Sequence, residues 1–365
     1  MPYLTRTALI LSALLLSLQP MAALAQQQLS PQQILQQTLN RKESQGFVGK
    51  RRLKVYRQNA NPLEASADVV YTDRNNYNVA IAAPFGIKGI QFNMHKGVNV
   101  AYFPDEKLYL FNGGPNTSYM PERIILSQLV NKPELLWSNY TLRREPDDIT
   151  NLTATYVVDL IPKHTFTYND QQYWQTPRRK YWIDKQHFHI LQEHRYWDMS
   201  NQPYATAWYE TFRKEDTRAR LSEPQAPGGT NQIDLSGGGK NSFLTYSTVA
   251  EAEAREKIRV ATPSYLPKGF ALKDIQVFTL FGARIQVLNY TDGLNDLMIT
   301  IRPQQNAFVT LLAGAFSLNL IKKITDLSHQ APNNYHSTAT ENRIAVVFGD
   351  LHPVELQKVG ASLTL

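Results

Sequence analysis

From Phe47 the chain alternates, with Phe47, Gly49, Arg51, Leu53 and Val55 on one side of an extended strand and Val48, Lys50, Arg52, Lys54 and Tyr56 on the other. The pattern predicts a strand with one apolar and one basic face. Runs of the same period recur at 67–72, 77–81, 87–94, 98–103 and 107–111, divided by turn-forming residues such as Asp73-Arg74-Asn75-Asn76 and Lys96-Gly97. Links this short predict an antiparallel meander. Ahead of it, Ser30-Pro31-Gln32-Gln33 has the form of a capping box with proline in the first helical position, and Ile34, Leu35, Thr38 and Leu39 continue at helical spacing. A helical interlude follows at 121–130, with Ile124, Ile125, Leu129 and Val130 as its apolar stripe, and a second piece at 133–137. Strands resume at 153–161, 178–184, 189–197 and 204–212.

Between 222 and 242 the pattern stops. Pro224, Pro227, Gly228, Gly229 and Gly237-Gly238-Gly239 stand among polar residues, which reads as a linker. Beyond it the pattern predicts a smaller α+β unit: a helix over 248–257, strands at 275–280, 284–290, 297–302 and 344–348, and a closing helix at 353–362, with Thr291-Asp292-Gly293 as a hairpin signal. At the other end, Arg6, the apolar run Ala8 to Leu18 and the small-residue site Ala23-Leu24-Ala25 form a secretory signal pattern, so cleavage after Ala25 and export are expected. The expected organisation is therefore 1–25 signal, 26–221 first domain, 222–242 linker and 243–365 second domain. The longest later apolar stretch, Phe308 to Ile321, is interrupted by Thr310, Ser317 and Asn319 and is too short to span a bilayer.

The chain has no Cys, which excludes disulfide scaffolds, cysteine-based zinc and iron–sulfur sites, thiol nucleophiles and a lipidated cysteine anchor. Sequence motifs for nucleotide binding, serine hydrolysis and zinc proteolysis are missing, and neither a cofactor nor a metal is expected. His187, His189 and His194 are the best metal candidates, but His194 has the opposite strand parity to the other two, and they read as exposed strand histidines. Asp147-Asp148, beside Pro146, reads as a solvated turn.

The net charge of +7 is concentrated in two clusters, Lys50-Arg51-Arg52 with Lys54, and Arg178-Arg179-Lys180. In an exported protein, nucleic acid is not the expected partner of such runs. Lys50, Arg52, Lys54, Arg178, Arg179 and Lys180 are instead expected to form a surface for anionic lipid head groups or an acidic protein segment, allowing peripheral membrane contact. Aromatic residues crowd between Tyr156 and Phe212, including Tyr181-Trp182, Tyr196-Trp197 and Trp208-Tyr209. A sheet covered on both faces accounts for them, and so does a concave sheet that accepts an acyl chain.

Lys180-Tyr181-Trp182-Ile183-Asp184-Lys185, followed by Ile190-Leu191-Gln192-Glu193 and Asp198-Met199-Ser200-Asn201, is similar to the strand pairs of the LolA-like fold. In the second unit, Tyr265-Leu266-Pro267-Lys268-Gly269-Phe270, Tyr290-Thr291-Asp292-Gly293-Leu294 and Ile344 to Pro353 running into Val359-Gly360-Ala361 resemble, in order, the C-terminal domain of the RseB/MucB family of periplasmic sigma-factor regulators. The aromatic segment Tyr168 to Trp182 and Phe348-Gly349-Asp350 depart from the family's pattern. The resemblance implies an α+β fold: an N-terminal LolA-like antiparallel half-barrel with helices on its concave side, linked to a smaller α+β C-terminal domain. It also implies two partners, the periplasmic domain of a transmembrane anti-sigma factor and the acyl chains of lipid or lipopolysaccharide. In such a regulator, binding shields the anti-sigma factor from proteolysis, and lipid or envelope stress releases it.

An acyl cavity on one face of the meander would be lined by Leu53, Val55, Val69, Tyr71, Val79, Ile81, Phe92, Val100 and Tyr102. The sequence therefore reads as a non-enzymatic exported regulator. Its rivals are a periplasmic lipid or lipoprotein carrier, which leaves the second domain without a role, and a ligand-free structural envelope module.

Overall fold

The computed structural model describes residues 29–40, 46–57, 60–73, 76–83, 88–96, 98–105, 107–111, 132–199, 201–221, 225–235, 242–280, 283–303, 335–340 and 342–365. The expected signal at 1–25, the helix at 121–130, the glycine run at 237–239 and the apolar stretch at 308–321 lie outside the described residues.

The capping box forms as the sequence predicts. Gln33 N–H donates to Ser30 Oγ at 3.2 Å, and Ser30 N–H donates to Gln33 Oε1 at 2.8 Å. It starts helix α1 (Pro31–Asn40), which buries Ile34, Leu35 and Thr38. The meander follows as β1 (Phe47–Arg57), β2 (Ala60–Asp73), β3 (Asn76–Ala83), β4 (Gln91–His95), β5 (Val98–Phe103) and β6 (Leu108–Phe111), each antiparallel to the next. Helix α2 (Pro133–Asn139) opens a second antiparallel run: β7 (Tyr140–Thr150), β8 (Thr153–Pro162), β9 (Thr165–Tyr168), β10 (Gln171–Asp184), β11 (Ile190–Asp198) and β12 (Ala205–Lys214).

The two runs join in the middle of one sheet, where β12 lies beside β1 with Leu53 opposite Ala207 and Val55 opposite Ala205. The strand order is β13 (Asn231–Asp234), then β6-β5-β4-β3-β2-β1-β12-β11-β10-β8-β7, with β9 attached to β10. Helices α1 and α2 both pack on the same face of this sheet, Ile34, Leu35, Leu136 and Tyr140 meeting Val158, Leu160, Tyr181 and Ile183.

Strand β7 escaped the sequence reading because its charges and Pro146 hide its period. Pro146 falls where the β7–β8 register shifts, on an edge strand, a place that tolerates a missing N–H. Asp147 and Asp148 are exposed as expected but belong to this strand rather than to a turn. Asp147 pairs with Arg144 and Lys185, and Asp148 accepts the Trp182 indole N–H at 2.9 Å.

Part of the expected linker is strand β13 (Asn231–Asp234), which pairs with β6 as the one parallel pair among the described strands of this sheet. Ile233 and Leu235 alternate on it and join the apolar core of the meander. Two apolar residues among glycines and polar residues are a weak signal, and the packing partners that make a strand of them lie far away in sequence.

The second sheet runs β14 (Ser242–Tyr246), β15 (Ala271–Leu280), β16 (Ala283–Thr291), β17 (Asp296–Pro303), β19 (Arg343–Gly349) and β18 (Tyr335–Ala339) in spatial order, all antiparallel. Helix α3 (Val249–Glu256) is capped by Thr248, whose side chain accepts from Glu251 N–H, and ends on Lys257 in the left-handed region at φ 53°. Helix α4 (Pro353–Ala361) closes the chain. Leu356 and Val359 of α4 join Ile275, Leu288, Ile299 and Val347 in this unit's core. Among the described residues no helix is long and apolar enough to cross a membrane.

Candidate functional site

Seven of the nine expected cavity residues share one face and one cluster. Leu53, Val55, Val69, Tyr71, Val79, Ile81 and Phe92 are all buried and packed together, with Phe47 stacked on Tyr71 at 5.3 Å. Val100 and Tyr102 point the other way. Ala101 stands opposite Phe92, so Ala101 and Phe103 are the residues of β5 that enter the cluster. Val98 to Phe103 is apolar at both parities, and alternation alone could not choose the inward set.

Of the expected anionic-partner surface, Lys50, Arg52 and Lys54 lie on the opposite, half-buried face of β1. Arg52 makes a two-bond ion pair with Glu210, at 3.1 and 2.9 Å, and Lys54 meets Glu64 at 3.2 Å. Arg178 and Arg179 do not belong to that surface. Arg178 is buried, and its guanidinium grips Asp159 through two hydrogen bonds of 2.9 and 2.8 Å. Arg179 points to the core face, because consecutive residues of a strand point to opposite faces. Lys180 stays on the outer side, partly exposed.

Arg179 belongs to a stripe of buried charge that divides the apolar face. On β10 and β11, Arg179 stands opposite Arg195 and Tyr181 opposite Glu193. Glu193 is fully buried and accepts from Arg179 Nη1 at 2.8 Å and from Arg195 Nε and Nη2 at 2.8 and 3.2 Å. From β1, Arg51 enters the stripe over the Tyr209 ring at 4.8 Å, and its Nη1 donates to the Leu191 carbonyl at 3.4 Å. Burial lowers the pKa of Arg51. Burial also works against Arg195, but the Glu193 carboxylate beside it more than compensates and raises its pKa.

The second sheet completes the stripe. Asp350, just past β19, accepts from Arg179 Nη2 at 2.7 Å, and Asn295 Oδ1, in the β16–β17 turn, accepts from the same nitrogen at 2.5 Å. Asn295 Nδ2 donates to Tyr140 Oη at 2.6 Å, and Tyr140 donates to Asp292 Oδ2 at 2.5 Å. Burial pushes both partners up: the Asp292 carboxyl rises despite accepting from Tyr140 and from the Leu294 and Asn295 N–H groups, and the Tyr140 phenol rises further beside it.

Around this centre, Asn139 Nδ2 donates to the carbonyls of Gly269 and Asp292 at 3.0 and 2.9 Å, and Gln175 reaches the buried Glu355 at 3.3 Å. His352 lies 4.9 Å from both the Phe166 and Tyr173 rings. The β9–β10 hairpin, the aromatic segment that departs from the family's pattern, therefore braces α4. Sequence reading missed Glu193, Arg195 and Asp350 as members of one site, although Glu193 and Arg195 are charges at buried strand positions.

The expected exposed histidines are largely covered. His189 is buried, its ring edge-on to Phe47 at 5.2 Å. His194 packs on Trp182 at 4.5 Å with Gln192 Nε2 2.8 Å from its Nε2. Among the described residues no group of three or more His, Asp or Glu could hold a metal ion.

Burial, with Lys180 nearby, pushes the His194 imidazole down to about 4, whereas the unperturbed value is 6.5. The unfolded chain therefore binds this proton first as the pH falls. His194's contribution to stability is complete above pH ~6.5 and is lost as the pH falls towards ~4, on the order of 2 to 3 kcal/mol in all. The variant His194→Gln is expected to flatten the fall of Tm across that window, and an unchanged slope would place the titration elsewhere.

No protein-family model matches the sequence, and no curated protein matches it significantly. Solved structures do match. The crystal structure of MucB aligns with a TM-score of 0.54 at 12% identity, covering 90% of this chain and 96% of that chain. The complex structure of Pseudomonas aeruginosa MucA/MucB aligns with a TM-score of 0.52 at 11% identity, covering 92% of this chain and 98% of that chain. The resemblance to the RseB/MucB family read from sequence is thus matched in three dimensions, and the chain has the fold of MucB across both of its sheets.

Proposed function

We propose that this protein is a periplasmic regulator that binds the periplasmic part of a transmembrane anti-sigma factor, shields it from proteolysis, and lets it go when lipid or envelope-stress components bind. One observation carries the reading. The likeness to MucB covers 96% and 98% of the two solved chains, second sheet included, and one of those structures is a complex with MucA. A lipid carrier built on the first sheet alone leaves the second sheet, and the buried contacts that hold it, without a purpose. The seven clustered apolar residues of the meander are the proposed site for acyl chains. Export with cleavage after Ala25 is part of the same reading.

The test is capture of the purified protein, starting at Gln26, by an immobilised periplasmic segment of a transmembrane anti-sigma factor from the same organism. The arms are no lipid, lipopolysaccharide and phospholipid vesicles. Capture without lipid and its loss with lipid are expected. Failure to bind in every arm overturns the proposal, and capture that lipid leaves unchanged overturns the release step.

A further inference from the structure

The contact between the two sheets is part apolar and part polar: Leu294 of the second unit packs with Ile34, Leu35 and Leu136 of the first, and Phe243 and Phe278 pack with the meander core. Its polar part is made by Arg179, Glu193, Arg195, Asn295, Asp292, Tyr140 and Asp350, with Asn139 and Gln175 beside them.

Charge is divided unevenly across it. On the first sheet two guanidinium groups, Arg179 and Arg195, share the carboxylate of Glu193. The second sheet returns a carboxylate, Asp350, whose Oδ2 lies 2.7 Å from Arg179 and whose Oδ1 lies 3.9 Å from Arg195. Separated from the second sheet, the first keeps buried positive charge in excess. Seated, Asp350 offsets it at a site where each guanidinium is nearly closed to water.

We propose that Asp350, with Asn295 beside it, is a latch: an acidic side chain of the second sheet held in an arginine receptor on the first, which sets how the two sheets sit against each other. The latch does this in place of the 222–242 connection. The inference stands apart from the identity of any partner.

The absence of Cys makes the test direct, since introduced cysteines are the only thiols. Ala154 on β8 and Ala254 on α3 are both exposed, and Ala154→Cys with Ala254→Cys gives one spin-label pair across the two units. Electron–electron distance measurement on the otherwise unaltered chain is expected to give one narrow distribution. Inserting six Gly/Ser residues between Leu235 and Ser242 should leave it unchanged. Asp350→Ala should convert it to a broad, longer distribution, with the closed-to-open ratio falling more than about 100-fold. Asp350→Asn, which keeps the side chain's shape and removes its charge, should shift it in the same direction and serves if the alanine variant does not fold. A narrow, wild-type distribution in the Asp350 variants overturns the latch, and so does broadening by the insertion alone.

Discussion

Glu193→Ala is expected to cost about 3 to 5 kcal/mol of stability, among the largest effects any single change in this chain should have. Glu193 is fully buried and takes three hydrogen bonds from two guanidinium groups that are themselves almost inaccessible. An alanine there does more than delete a contact. It leaves Arg179 and Arg195 charged in a place where water cannot reach them, and that exposed penalty, rather than the worth of the pair, sets the size of the loss. Urea unfolding followed by tryptophan fluorescence reads it as a drop in midpoint. Glu193→Gln keeps the volume and one acceptor oxygen and should lose less. A loss below about 1 kcal/mol for the alanine variant would mean that the arginines are reached by solvent or by another counter-charge.

Gly293→Val should be comparably severe for a different reason. Gly293 holds φ +97° in the turn between β16 and β17, and a Cβ there would overlap the backbone nitrogen of Leu136 at the start of α2. The left-handed conformation alone costs a non-glycine residue about 1 to 3 kcal/mol. The neighbour is backbone, which cannot swing aside, so overpacking adds to the strain. The same turn carries Asp292 and Asn295, so displacing it also disturbs the Tyr140 hydrogen bond and the Arg179 contact. A fall in Tm of roughly 5 to 10 °C is expected by scanning calorimetry. Gly228→Ala is the control, since nothing lies within 4 Å of a Cβ at Gly228. Equal Tm values for the two variants would remove the close approach from the account.

Local rules made much of this fold legible. The capping box at Ser30, the helix expected over 248–257 and the alternation of β1 each rest on residues close in sequence, and each appears where those residues place it. Arg51 was visible too, as a charge at an apolar parity. What escaped depended on distant partners. Arg178-Arg179-Lys180 looked like one basic patch, but a strand sends neighbours to opposite faces, and only the position of Asp159 and Glu193 decides what each arginine meets. Strand β13 exists because β6 offers it an edge and the meander core takes Ile233 and Leu235. The arginine receptor could have been suspected from Arg51, Arg179, Glu193 and Arg195, four charges of both signs at inward positions. No local pattern showed that Asp350 would complete it.

The pairing of β1 with β12 also has a consequence in time. Each antiparallel run of the large sheet can zip up from contacts between neighbouring strands, but the seam between the runs brings together residues such as Arg52 and Glu210, 158 positions apart in sequence. During synthesis β1 therefore waits with one side unpaired until almost the whole first unit has emerged, and closing that long loop is entropically slow. The charged outer face of the waiting strand, with Lys50, Arg52 and Lys54 spaced along it, discourages pairing with other chains in the interval. The same basic residues that first suggested an anionic partner thus protect an unfinished sheet from aggregation.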